Sequence, residues 1–284
     1  MDRRDFALGI GLGTLGFGGG AAAARSADPS DKNLPILDPA FNVKVVGRLQ
    51  GDVSGKRMYV MRDGLVFGLV PGEGVSLNDY GRLMYRVQGC TSRESHLDAD
   101  GTLHERSRSW LFYRDAHTGE YLQEFRNPFT GQTLPVPVFR AGISGSTLAP
   151  SGPVIRADFD MESSIFGKPP LLDWQFRGSR VALYRHGFTR WRENATGFTR
   201  TEFTLDSWSC DPRHVADTSF THIPNEHSWT SQTEWQSWLG MRGKPGVMLW
   251  RNDSSFFSDV AELPEEFVTY SEKKLPGLFD APLV

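Results

Sequence analysis

The densest run of groups able to move protons or bind a metal is Cys210-Asp211-Pro212-Arg213-His214, followed by His222 and by Glu226-His227. Histidine titrates near neutral pH, so His222 or His227 suits general acid–base work, with Glu226 to orient an imidazole. The same stretch offers a second chemistry. Thiolate and neutral imidazole are zinc ligands, and Cys210, His214, His222 and His227 would supply four, although their spacing follows no standard zinc module. A third set lies upstream. Tyr113 and Glu124 are expected on one face of a short meander, where an apolar surround would perturb their pKa values. Gln123, on the other face beside Trp110, would be a lone polar group available to a ligand. Trp208 and Trp229 flank the histidine cluster and offer rings to an apolar or aromatic molecule. Arg93, next to Glu94 and close to His96, suits a carboxylate ligand. The chain carries no Gly-rich phosphate loop, nucleophile elbow or dinucleotide fingerprint.

The elements that must hold these groups read as strands. Between Arg108 and Phe139, two turn cassettes stand a dozen residues apart, Asp115-Ala116-His117-Thr118-Gly119-Glu120 and Asn127-Pro128-Phe129-Thr130-Gly131-Gln132. Each has Asp or Asn at turn entry and Gly where φ must be positive, so four-residue turns pair Asp115 with Glu120 and Asn127 with Gln132. That register collects Trp110, Phe112, Tyr121, Phe125, Leu134, Val136 and Val138 on one face. Further strands are expected at Val43–Leu49 and Tyr80–Gln88. A hairpin is expected across Asp63-Gly64, and another joins Val181–Arg192 to Phe198–Asp206. Gly142 to Pro153 reads as a loop. Ser231 with Glu234 makes a capping box for one short helix, and Pro264-Glu265-Glu266 with Lys273-Lys274 has the charge order of a second. The fold class is therefore all-β with two short helices, an antiparallel meander closing into a barrel.

Composition narrows the function. With a formal charge of −3 and no basic stripe, nucleic acid is a poor partner. An aromatic content of 12 % with 19 Phe and 8 Trp suits a chain with large buried rings. Two cysteines, Cys90 and Cys210, cannot build a disulfide framework. No apolar run reaches the ~20 residues that span a bilayer. Arg3-Arg4 followed by Phe6 and Leu8, a weakly apolar Gly-rich run and Ala22-Ala23-Ala24 fit a twin-arginine signal peptide over residues 1–24. A linker or strap over 25–45 and a single β-barrel-like domain over 46–284 follow. The expected location is periplasmic, with the twin-arginine export machinery as a partner and no transmembrane segment once the signal is removed.

Asp115-x-x-Thr118-Gly119-Glu120, Asn127-Pro128-x-Thr130-Gly131 and Trp235-x-x-Trp238-x-x-Met241-x-Gly243-x-Pro245-Gly246 together resemble the bacterial and fungal family called domain of unknown function 1838. The likeness runs over roughly residues 46–282. It implies a twin-arginine leader and, by fold-level analogy, a calycin or lipocalin-like barrel. It supplies no catalytic residue set. The expected function is a periplasmic enzyme of lyase, isomerase or hydrolase type, using non-redox acid–base chemistry without a cofactor on a small apolar or aromatic molecule. The alternatives are a non-catalytic carrier of such a molecule and a zinc enzyme using the Cys210 to His227 cluster.

Overall fold

Asp38 accepts a hydrogen bond from the Ala40 amide at 2.9 Å, and Pro39 fills the first helical position. The segment expected to be a strand therefore begins with a helical cap, and α1 (Pro39–Gln50) buries Val43, Val45, Val46 and Leu49. The computed structural model describes residues 34–71, 81–156, 159–164, 166, 168–193 and 199–283. The expected signal segment and the turn at Asn194-Ala195-Thr196-Gly197 lie outside the described residues. After α1 come β1 (Met58–Leu69), β2 (Gly81–Leu97), β3 (Leu103–Arg114), β4 (Glu124–Arg126), β5 (Thr133–Pro135), β6 (Phe139–Ala149) and β7 (Gly152–Arg156). Then follow β8 (Phe159–Ser163), β9 (Asp173–Arg177), β10 (Arg180–Glu193), β11 (Thr199–Cys210), α2 (Pro212–Ala216), β12 (Asn225–Thr233), β13 (Val247–Phe257) and α3 (Glu265–Lys274). The chain is β-rich and antiparallel, as its alternation requires.

Several local expectations are corrected. Asp63-Gly64 is not a turn, because β1 runs straight through it. A Cβ on Gly64 would lie 2.3 Å from the Arg251 carbonyl oxygen, so this glycine marks close approach of a neighbouring strand. Residues of the expected 142–153 loop pair as β6 and β7. Ser231 caps no helix. It is buried in β12 and donates to Glu202 at 2.5 Å, and only a 3-10 turn, Ser237–Leu239, follows. The α3 charge order is as expected, acidic in its first turn and basic in its last.

Both cassettes close as four-residue turns. The Asp115 amide donates to Glu120 and the Asn127 amide to Gln132, each at 2.8 Å. The wall predicted from them is nevertheless split. A single bridge joins Arg114 to Tyr121, and β4 pairs with β5 in a small sheet of its own. Tyr121 stacks on Tyr270 of α3, and Trp110 and Phe112 pack beneath the same helix. Phe125, with Val136 against it, joins a different cluster around Tyr85 and Trp235.

The main sheet has eleven strands, in the order β7-β6-β3-β2-β1-β13-β12-β11-β10-β8, with β9 also paired to β10. Among the described residues the ladder ends at β7 on one side and β8 on the other. These end strands are consecutive in the chain. Arg156 and Phe159 are three residue steps apart, so their Cα atoms lie within about 11 Å. One apolar cluster also joins Leu148 of β6 to Val181 and Leu183 of β10 through Val45, Val46 and Leu49 of α1. The sheet thus curls round the helix, but among the described residues no ladder joins β7 to β8, so the expected closure into a barrel is not seen. Its inner face is closed at one end by that α1 cluster. At the other it is closed by Val66, Tyr85, Met248 and Trp250 with Phe125, Trp235 and Leu239. The outer face of β1 to β3 is covered by α3 through Met61, Cys90, Trp110, Phe112 and Phe267.

Candidate active site

Between the two apolar ends, the inner face carries a polar layer. Residues paired directly across an antiparallel ladder share a face, so the register defines it. One row reads Leu183, Trp208, His227, Ser254, Arg62, Gly89, Leu111. The next reads Arg185, Asp206, Trp229, Asn252, Gly64, Val87, Tyr113. The layer borders open space: the side chains of Asp206, Glu202, Arg200 and Arg185 keep 13, 13, 20 and 30 % of their exposure while directed inward.

His227 is the centre of this layer. It is 8 % exposed, its ring stacks on Trp208 with centroids 5.1 Å apart, and its Nε2 lies 3.2 Å from Asp206 Oδ1. Asp206 is held by Arg185 at 2.9 Å. Burial pushes the Asp206 pKa up, but Arg185 and the His227 contact outweigh it and hold the carboxyl well below its usual range. An ionised Asp206 accepts, so the neutral imidazole carries its proton on Nε2. Its Nδ1, buried and without a partner, is then a free lone pair. A carboxylate that fixes the tautomer of a histidine, with the other ring nitrogen unpartnered, is the pairing a general base requires.

The remaining expected residues disperse. Glu226 lies on the outer face opposite Ser209, pairs with Arg180 at 3.1 Å and cannot orient His227. His222 donates Nδ1 to the Gly51 carbonyl at 3.1 Å and rests on Phe256; burial lowers its pKa. Tyr113 is on the inner face but inside the apolar end, donating to Gln236 at 2.9 Å, with its phenol pushed up to about 12 by burial. Glu124 is exposed on β4, away from Tyr113. Gln123 is also exposed, bonded to Tyr270 and Lys274, because the chain leaves the main sheet at Tyr121. Trp110 is sealed under α3, with its indole donating to Ser271. Arg93 is not at a rim. It donates to the Gln50 carbonyl at 3.0 Å and pairs with Glu105 at 3.2 Å, fixing the end of α1. Trp208 and Trp229 alone of the expected ligand-binding group join His227.

The zinc set does not assemble. Cys210 is buried against α1 with its thiol raised to about 12 by burial, His214 leans on Phe220, and His222 and His227 have the partners given above. Cys90 is likewise buried and unpaired. Among the described residues, one trio has ligand atoms within 4.8 Å of one another: His96, Asp98 and His104, at the exposed β2–β3 turn.

Asp206, Arg185 and Arg62 escape a reading of the sequence, since a charged residue inside an alternating strand reads as solvent-facing. The only available signal was parity: Asp206 stands two residues from Trp208 and so shares its face. A cleft of about 980 Å³ at the ends of β10 to β13 is lined mainly by outer-face residues, among them Arg180, Tyr184, Ser207, Glu226 and Asp253, and reaches Trp208, His227 and Ser254 of the inner row but not Asp206, Arg62 or Asn252. No family model matches the chain, and a search of curated proteins finds no match.

Proposed function

We propose that this protein is an enzyme that acts on a small, partly aromatic molecule by proton transfer at His227. The observation that carries the reading is the buried Asp206–His227 contact, with Nδ1 on the other side of the ring left without a hydrogen-bond partner. In the step, a substrate C–H or O–H proton moves to Nδ1, and Asp206 stabilises the imidazolium formed. The proton is returned at another position in an isomerisation, or the electron pair expels a leaving group in an elimination. Trp208 backs the imidazole, and Trp229, beside Asp206 and Asn252, supplies the aromatic wall. The twin-arginine motif and the resemblance to the domain of unknown function 1838 family support a periplasmic location, which fits a cofactor-independent enzyme exported folded. The test is a turnover screen of small aromatic and aliphatic compounds, read by NMR, with wild type and His227→Ala. We expect loss of turnover by about 100-fold or more with folding retained. A compound turned over equally by both forms refutes the assignment.

A further inference from the structure

Among the described residues the charges of the polar layer do not cancel. Its described cations are Arg62, Arg93, Arg185 and Arg200, and its carboxylates are Glu105, Asp206 and Glu202. Three pairs form, Arg93–Glu105 at 3.2 Å, Arg185–Asp206 at 2.9 Å and Arg200–Glu202 at 3.5 Å. Arg62 is left over. Among the described residues no carboxylate comes within ion-pair distance of it. Its one described hydrogen bond, from Nη1, reaches the Thr91 hydroxyl at 3.3 Å, itself shared with Ser109. Asp206 and Glu105 attract Arg62 from beyond ion-pair distance while Arg93 repels it, so its burial is only partly offset, and a nearer anion would complete the compensation.

The neighbours of Arg62 point the same way. Arg62 Nε, Ser254 Oγ and Asn252 Nδ2 are all buried without a hydrogen-bond partner. Ser254 is directly opposite Arg62 in the ladder, and Asn252 is two residues further along the same face. Directly opposed side chains start about 5 Å apart, so these donors can converge on one group. Asn252 is 2 % exposed, so bulk solvent does not satisfy it. One uncompensated positive charge with two neutral donors matches a monoanion. A phosphate dianion would leave the layer net negative.

We propose that Arg62, Ser254 and Asn252 bind the carboxylate of an organic acid, with its body against Trp229 and Trp208. The proposal rests on the reading of His227 as the base, and it narrows the substrate. His227 is the next residue in the row after Ser254. With the carboxylate seated on Arg62 and Ser254, His227 is the neighbouring residue in the row, which suits it to a proton on the first or second atom beyond the carboxyl carbon. The substrate class is therefore a small acid with a removable proton α or β to its carboxylate.

The test compares matched carboxylates and amides: benzoate, phenylacetate, cinnamate and hexanoate, each against its amide, by thermal shift and calorimetry. The full-length protein is used as wild type, Arg62→Met and Ser254→Ala. At least one acid should bind ten-fold or more tighter than its amide, and the preference should vanish in Arg62→Met and weaken in Ser254→Ala. If Arg62→Met does not fold, Ser254→Ala alone carries the comparison. Equal binding of acids and amides overturns the proposal, as does a preference that survives in the folded variants. Stabilisation by chloride or phosphate equal to that by the acids also overturns it. Acid binding that depends on Arg62, with no acid turned over, would remove the catalytic reading and leave the anion site standing. Turnover of neutral compounds only, dependent on His227, would do the reverse.

Discussion

Asp206→Asn tests whether the polar layer is a true interior. The substitution keeps the side-chain volume and removes one negative charge, so Arg185 and Arg62 become two unpaired cations facing the same space. Breaking a fully buried ion pair by removing one partner costs about 3–5 kcal/mol. Asp206 is 13 % and Arg185 30 % exposed, so partial solvent screening lowers the expected loss to about 2–4 kcal/mol. For a domain of this size that corresponds to a Tm lower by roughly 5–15 °C. Adding Arg185→Met should recover at least half of the loss, because the cation stranded by the first change is then absent. Urea and thermal unfolding of wild type, both single variants and the double variant measure the whole cycle. An Asp206→Asn variant within about 0.5 kcal/mol of wild type would show the pair to be an ordinary solvated contact. The inward-facing site would then lose its basis.

Other outcomes follow from the same geometry. Arg62→Met should leave stability unchanged or raise it by up to about 3 kcal/mol, since it removes a half-buried cation that has no ion-pair partner among the described residues; a loss of more than about 1 kcal/mol would mean Arg62 is structural. Asp206 has a folded pKa below its unfolded value, so its contribution is present above about pH 4 and lost as pH falls further, and Asp206→Asn should flatten that part of an acid unfolding curve. His222 is also depressed, by burial, so stability should decline as pH drops below about 6.5, and His222→Gln should remove that decline. Gly64→Ala should destabilise strongly, because the new Cβ would sit 2.3 Å from a backbone oxygen of β13, and chemical denaturation would register it.

The turns were legible because Asp115, Asn127, Gly119 and Gly131 each have a local reason for their place. Strand identity in β10 and β11 was legible for the same reason, through alternation. What failed depended on partners far along the chain. Val43 to Leu49 has the β-branched content of a strand, yet the Asp38-Pro39 cap and the apolar margins of β6 and β10 make it a helix. Asp63-Gly64 has hairpin composition, but its glycine answers to Asn252 on another strand. In the site, His227 was legible by residue type, whereas Glu226 was chosen for adjacency and faces the other way. Asp206 supplies that role from the neighbouring strand, and no local pattern announces such a cross-strand partner.

The position of α1 also bears on when this chain can fold. Arg48 donates to the carbonyls of His214, Val215 and Phe220, and the Leu49 carbonyl accepts from Asn225, all more than 160 residues downstream. During synthesis the helix therefore leaves the ribosome long before its docking surface exists. Leu148 of β6 can cover part of its apolar stripe, but the part that packs on Val181, Leu183 and Trp208 has nothing to cover it until β10 and β11 have been made. Contacts of such long sequence separation slow folding and extend the lifetime of exposed apolar surface. The first described element is thus among the last to reach its place, and a truncated nascent chain lacking β12 cannot seat α1 in its native site.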